Sequence, residues 1–266
     1  MSNHQPILGK APDENFAAYS EGKETRLSYA VVPVVKSGDN GDLIVIGTGF
    51  YVSHHGLFVT AKHVVDAAIN EHGRWNGLAL IHFCPGDTFF VRPVWTVARH
   101  EVADIALGAV YPMSHKITGE PLKNLKLGLS LKRPRLKSTV FTYAYPRTRV
   151  LPGNDGKKII ECKPGYFVGS LIEAHPSGRD KVMLPGDCFQ TSMMIHSGAS
   201  GGPVMLADGR DSKVIGVNST GYDNDNLSYV TPIRAALDLP ISQALLPGES
   251  SARIVTLREL CMRGLA

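Results

Sequence analysis

The chain has 266 residues, of which 43% are hydrophobic and 20% charged, with a formal net charge of +4 at pH 7. These are globular values that exclude bulk disorder and fibrous repeats, and the basic excess is too small to demand a nucleic-acid partner. No apolar run approaches the roughly eighteen residues of a membrane helix, so no membrane association is expected.

Residues 1–26 are polar and without clear period, and read as an N-terminal arm holding at most one short helix. The arm lacks the apolar core of a secretory signal. Four cysteines, Cys84, Cys162, Cys188 and Cys261, are too few for a disulfide scaffold and match no zinc spacing. Buried reduced thiols in a cytoplasmic protein are the expectation.

From Leu27 the texture changes. Tyr29 to Val35 and Leu43 to Val52 are β-branched and aromatic, and read as strands. A turn at 53–56 leads to Leu57–Thr60, and Ala61 to Ile69 reads as one or two helical turns. Leu78 to Phe83, Thr88 to Val94 and Ile105 to Tyr111 complete a first group of strands, over 27–115. Residues 116–137, with two prolines and a cluster of Lys and Arg, read as a basic linker. A second group over 138–232 contains strand-like runs at Ser138–Tyr145, Lys158–Lys163, Tyr166–Glu173, Cys188–Met194, Gly202–Leu206, Lys213–Asn218 and Leu227–Val230. Residues 233–266 read as C-terminal helices: one begins at Thr231 and Pro232, and a last one near Ser250 or Ser251. Short strands with frequent Gly and Pro turns, in two groups, predict an all-β sandwich or a pair of barrels.

The chemistry concentrates in Gly198-Ala199-Ser200-Gly201-Gly202-Pro203. An alcohol near neutral pH needs a base to act as a nucleophile, and the oxyanion it creates needs donors. Gly198 lacks a Cβ, so its backbone is free to turn its N–H toward a substrate carbonyl, with the N–H of Ser200 as second donor. Taken alone, the segment is equally a Gly-rich turn. The candidate base is His63, where an apolar strand enters a short helix; imidazole titrates near neutral pH. Asp104, leading the apolar run Ile105-Ala106-Leu107, is costly to desolvate unless paired, and a histidine N–H is its natural partner. His63 and Asp104 fall in the first strand group and Ser200 in the second, which predicts a site at the seam between them.

The blocks GTGFYVSHHGLFVTAKHVV, ADIAL, SGASGGPVM and VIGVNSTG with YVTPI, in this order, resemble those of the chymotrypsin-like (trypsin-fold) serine endopeptidases. The resemblance runs from about Leu27 to Leu237 and is nearest to disulfide-free bacterial trypsin-like peptidases and the heat-shock protease domains. It implies two antiparallel six-stranded β-barrels, here followed by a helical C-terminal tail. It also implies His63 as general base, Asp104 as its orienter, Ser200 as nucleophile, and the N–H groups of Gly198 and Ser200 as oxyanion hole. Ser219 falls where the family places a hydroxyl supporting the aspartate, although a plain turn hydroxyl competes with that reading. Thr220 and Gly221 fall on the edge that pairs with an extended substrate. Ala199 replaces the acid that secreted relatives carry before the nucleophile, and no cysteine lies near His63, so zymogen activation of their kind is not expected and a reducing compartment is.

Specificity is weakly encoded. Met194, six residues before Ser200, is expected in the wall of the primary pocket, and no acid stands there to select Lys or Arg. A medium apolar residue is expected before the cleaved bond, with the methionines equally readable as core filler; His196 reads as a rim residue. The substrate is expected to be a protein or peptide. No cofactor or metal is expected: His54 and His55, adjacent on an extended chain, point apart. The basic run 123–137 lacks interleaved aromatics and reads as solvated linker rather than a nucleic-acid surface. The alternative function is a regulated or catalytically silent protease-fold module acting through protein binding, with the N-terminal arm or the C-terminal helix as the contact for a regulatory partner.

Overall fold

A computed structural model describes residues 7–8, 17–20, 23–38, 40–73, 75–84, 88–114, 119, 121–153, 158–207, 213–222, 227–244, 251 and 253–266. The first barrel is built from β1 (Val31–Ser37), β2 (Leu43–Tyr51), β3 (Leu57–Thr60), β4 (Ala79–Cys84), β5 (Thr88–Arg99) and β6 (Ala106–Val110). Their order around the sheet is β5-β4-β1-β2-β3-β6, and β6 closes on β5. The second barrel comprises β7 (Thr139–Ala144), β8 (Gly165–His175), β9 (Cys188–Thr191), β10 (Pro203–Leu206), β11 (Val214–Tyr222) and β12 (Leu227–Pro232). It closes in the order β7-β8-β9-β12-β11-β10, with β10 back against β7. All these pairings are antiparallel. The all-β, two-barrel architecture expected from the sequence is the observed one.

Closure removes the exposed edges that short strands would otherwise present. The interior is filled by the branched residues that mark these strands in the sequence: Val31, Val32, Val34, Val59 and Leu107 are buried in the first barrel, and Val140, Leu171, Val204 and Val230 in the second. Tyr145, at the end of β7, ties the barrels by donating its hydroxyl to the carbonyl of Val31 at 2.9 Å. On the linker, Arg133 meets Asp187 through two hydrogen bonds of 2.9 and 3.0 Å, and Arg234 pairs with the same carboxylate.

Three readings of the sequence change. Within the N-terminal arm the described residues form strands, not helix: Ile7–Leu8 pairs with Phe89 and Thr88 on the outer side of β5, and Ala17–Ser20 forms a hairpin with Lys23–Arg26. Backbone pairing to an available strand needs no side-chain period, so the polar sequence gave no sign of it. A further hairpin, Arg149–Pro152 with Lys158–Glu161, joins β7 to β8, and only its second strand was expected.

The tail is mixed rather than helical. A 3-10 turn at Ile233–Ala236 follows β12, which itself takes in Thr231 and Pro232. Pro240–Ala244 then pairs with Arg253–Thr256 before the helix Leu257–Met262 (α2, after α1 at Lys62–Asp66). The helix was expected to start near Ser250 or Ser251; Ser250 lies outside the described residues, Ser251 is a bend, and the helix begins at Leu257. Ile254-Val255-Thr256 is a β-branched run that favours the strand. The helix starts where Thr256 accepts a hydrogen bond from the N–H of Glu259 at 3.3 Å, the Thr-x-x-Glu pattern of a capping box.

Candidate active site

His63 is mounted by its neighbours. β3 ends at Thr60, Ala61 is extended, and α1 begins at Lys62. Val64 and Val65 are buried and fix the helix, which leaves the His63 ring on the open side, 51% exposed. The first N–H groups of a helix have no partner within it. That of His63 is taken by Asp104, whose Oδ1 accepts it at 3.0 Å, while Oδ2 lies 2.9 Å from the ring Nδ1. One carboxylate thus caps the helix and orients the imidazole.

Asp104 itself sits just ahead of β6, between the buried Ala103 and Ile105, and its side chain is only 13% exposed. Burial alone raises its pKa. The hydrogen bonds and charge of His63, with a smaller contribution from the Ser219 side chain, outweigh that and hold the carboxyl below its ordinary value. Ser219 is buried on β11, its hydroxyl 2.6 Å from that of Thr231.

Ser200 lies on a tight turn between β9 and β10. Ala199 donates to the carbonyl of His196, Gly202 to that of Ala199, each at 3.0 Å, and Gly201 to that of Asn218 at 2.8 Å. Gly198 and Gly201 have φ of 91° and 85°, a region that disfavours any side chain. The turn is also held by the first barrel. Thr48 on β2 donates its N–H to the carbonyl of Ser200 at 2.8 Å and its hydroxyl to the carbonyl of Gly198 at 2.9 Å, and that hydroxyl accepts the N–H of Tyr145 at 3.0 Å. Within Gly198–Gly202, the N–H groups of Gly198 and Ser200 have no acceptor among the described residues. The Ser200 hydroxyl donates to the carbonyl of Ser219 at 3.3 Å, and no hydrogen bond joins it to His63.

His63, Asp104, Ser200, His196, Ser219, Thr220 and Gly221 line one cleft of about 600 Å³. The structure therefore gathers every residue singled out in the sequence except Gly198, which stands in the turn beside it, and Met194. Residues 191–195 alternate in burial, with Met193 and Ile195 inward and Met194 outward and 52% exposed. Met194 has the outward parity of an extended run, and Ile195 lines the cleft in its place. His196 is half-buried, its ring edge-on to Phe167 at 5.8 Å. β11 pairs with β10 only through Val217, so the β10-side edge of 219–221 has no strand partner among the described residues.

The sequence reading passed over Thr48, and over Val182 and Met183, which form a cleft wall. Thr48 had one signal, a polar residue between glycines in an apolar strand. Val182 and Met183 belong to a loop without period.

Comparison with known proteins agrees with the fold. The family profile of the trypsin-like peptidase domain matches residues 47–217. The chain is similar to a probable periplasmic serine endoprotease, DegP-like, of Marinomonas sp. (strain MWYL1), with 25% identity over 213 residues, 73% of this chain and 34% of that protein. The chain thus spans about a third of that relative's length. In fold it is similar to Deg5, with a TM-score of 0.53, 19% identity, and coverage of 77% of this chain and 84% of that one. It is likewise similar to the inactive form of the Rv3671c protease from M. tuberculosis H37Rv, with a TM-score of 0.50, 21% identity, and coverage of 77% and 84%.

Proposed function

The chain belongs to the trypsin-like serine peptidase family, and on that premise we propose that it hydrolyses internal peptide bonds through an acyl-enzyme on Ser200. The observation that carries the reading is the two-point contact between Asp104 and His63, in the cleft that Ser200 also lines. In this mechanism His63 takes the proton of the Ser200 hydroxyl as its oxygen attacks the substrate carbonyl. Asp104 holds the ring with Nδ1 protonated, which leaves Nε2 as the base, and stabilises the imidazolium that forms. The carbonyl oxygen, now negative, receives the N–H groups of Gly198 and Ser200. His63 then returns its proton to the leaving amine, and water enters by the reverse sequence to release the acid.

The substrate is a protein or peptide bound in extended form. The free edge of β11 at Ser219, Thr220 and Gly221 suits strand addition. Ile195, Val182 and Met183 favour a medium apolar side chain before the cleaved bond, with His196 at the rim. We place the chain in the cytoplasm: all four cysteines are free thiols, as a reducing compartment keeps them. No helix among the described residues is long and apolar enough to cross a membrane. The Marinomonas relative is described as periplasmic, and cell fractionation separates the two locations.

A second reading, a regulated resting form, is favoured by one contact: the Ser200 hydroxyl points to the carbonyl of Ser219 instead of to His63. Intact-mass analysis after treatment with a fluorophosphonate decides between the two readings. A single adduct that maps to Ser200 and is absent from Ser200→Ala supports the acyl-enzyme reading. A folded protein that takes no adduct supports the resting form.

A further inference from the structure

The first barrel and the C-terminal segment enclose a second cavity, of about 250 Å³, that shares no residue with the cleft. Its walls are apolar: Leu57 and Trp95 on the barrel side, and Ile241, Leu260 and Leu265 from the tail. Against these walls stands Arg92 of β5, whose side chain is almost wholly buried, at 1% exposure.

Arg92 is a buried cation without an anion. Its Nη1 lies 3.2 Å from His82 Nδ1 and donates to the side-chain carbonyl of Asn124, and its Nη2 donates to the backbone carbonyl of Tyr111 at 2.9 Å. The Tyr51 ring lies beside it at 5.8 Å. All of these partners are neutral. His82 in particular carries no charge near neutrality, since burial, and then Arg92 itself, push its pKa down to about 3. No carboxylate among the described residues pairs with the guanidinium, and its Nε is buried with no hydrogen-bond partner. An uncompensated buried charge is strongly disfavoured, whereas a guanidinium and a carboxylate in such a setting make strong, charge-assisted hydrogen bonds.

We propose that this cavity binds a small apolar carboxylate, with its hydrocarbon body between Trp95 and the tail residues Leu260 and Leu265, and its carboxylate against Arg92 and the His55 ring. The size favours a free acid of medium length over a folded partner. One cation among apolar walls suits a single negative charge better than a phosphate. The ligand bridges the barrel and the tail, so it stabilises their packing by mass action. The inference does not depend on the catalytic reading, and Ser200→Ala leaves it untouched.

The test uses the full chain, with octanoate as probe and octanamide as its uncharged counterpart, followed by calorimetry and thermal unfolding. Octanoate is expected to bind and to raise the unfolding midpoint, and octanamide to bind at least about tenfold more weakly. Arg92→Met, where circular dichroism finds it folded, is expected to lose the preference for the acid. Ser242 is exposed and lines the cavity, so Ser242→Phe fills it without disturbing the core and is expected to abolish binding of both. No octanoate binding up to millimolar concentration, equal affinity for the amide, or undiminished binding to Ser242→Phe overturns the proposal.

Discussion

Asp104 holds His63 at two points, the ring Nδ1 at 2.9 Å and the main-chain N–H at 3.0 Å. The backbone contact fixes where the helix begins, and the ring contact fixes which nitrogen carries the proton. Asparagine keeps an oxygen for one contact but cannot serve both with the same charge. Asp104→Asn is therefore expected to fold and to lower kcat by about four orders of magnitude. Peptide hydrolysis and the rate of fluorophosphonate labelling, measured side by side, check it.

The same carboxylate makes stability depend on pH. His63 holds the folded-state pKa of Asp104 below its ordinary value, against the opposing effect of burial. The stabilisation is complete above the ordinary aspartate value of about 3.9 and is lost as pH falls through the folded value, because the unfolded chain then binds the proton first. The difference in unfolding midpoint between the wild type and Asp104→Asn is expected to be constant near neutrality and to shrink in acid. A difference that grows in acid would reverse the sign.

Two glycines in the nucleophile turn are expected to fail in different ways when replaced by alanine. At Gly201 a Cβ would lie 2.1 Å from the carbonyl of Thr48, at a φ of 85°, so Gly201→Ala is expected to lose about 3 kcal/mol of stability. At Gly198 the nearest atom would be Pro146 Cα at 3.0 Å, a milder clash at a φ of 91°. Gly198→Ala is expected to remain folded while its N–H turns away, with kcat down by about 10²–10³. Denaturant unfolding and initial rates on both variants separate the two effects.

Thr48 has a side chain committed at both ends, donating to Gly198 and accepting from Tyr145. Valine has nearly the same shape and neither bond. Thr48→Val leaves a carbonyl and an N–H without partners and is expected to cost about 1–3 kcal/mol. Thr48→Ser, which keeps the hydroxyl, is expected to recover most of the loss in thermal unfolding.

The barrels were legible because their strands carry their own signature. Leu57 to Thr60 folds as read, while the runs Tyr29 to Val35 and Ile105 to Tyr111 contain the strands Val31–Ser37 and Ala106–Val110 with shifted ends, Tyr29 falling in a 3-10 turn. His63, Asp104 and Ser200 stood out because each lies in a local sequence that suits the role proposed for it, and all three line one cleft. Met194 was misplaced because spacing from Ser200 gives a position along the chain but not which way an extended residue faces. The Ile7–Leu8 strand depends on pairing with distant backbone, which no local pattern records. Arg92 gave no sign either, since a strand with one arginine reads as an ordinary half-exposed strand until its neighbours are known.

The carbonyl of Ser200 is held by the N–H of Thr48, and Gly201 packs beneath the carbonyl of the same residue. Ser200 is thus carried by one half of the molecule and braced by the other. Thr48 and His63 belong to the same barrel, so parting the two halves along their seam would take the brace and the imidazole from Ser200 together. The seam between the barrels is thus part of what holds the Ser200 turn in its shape.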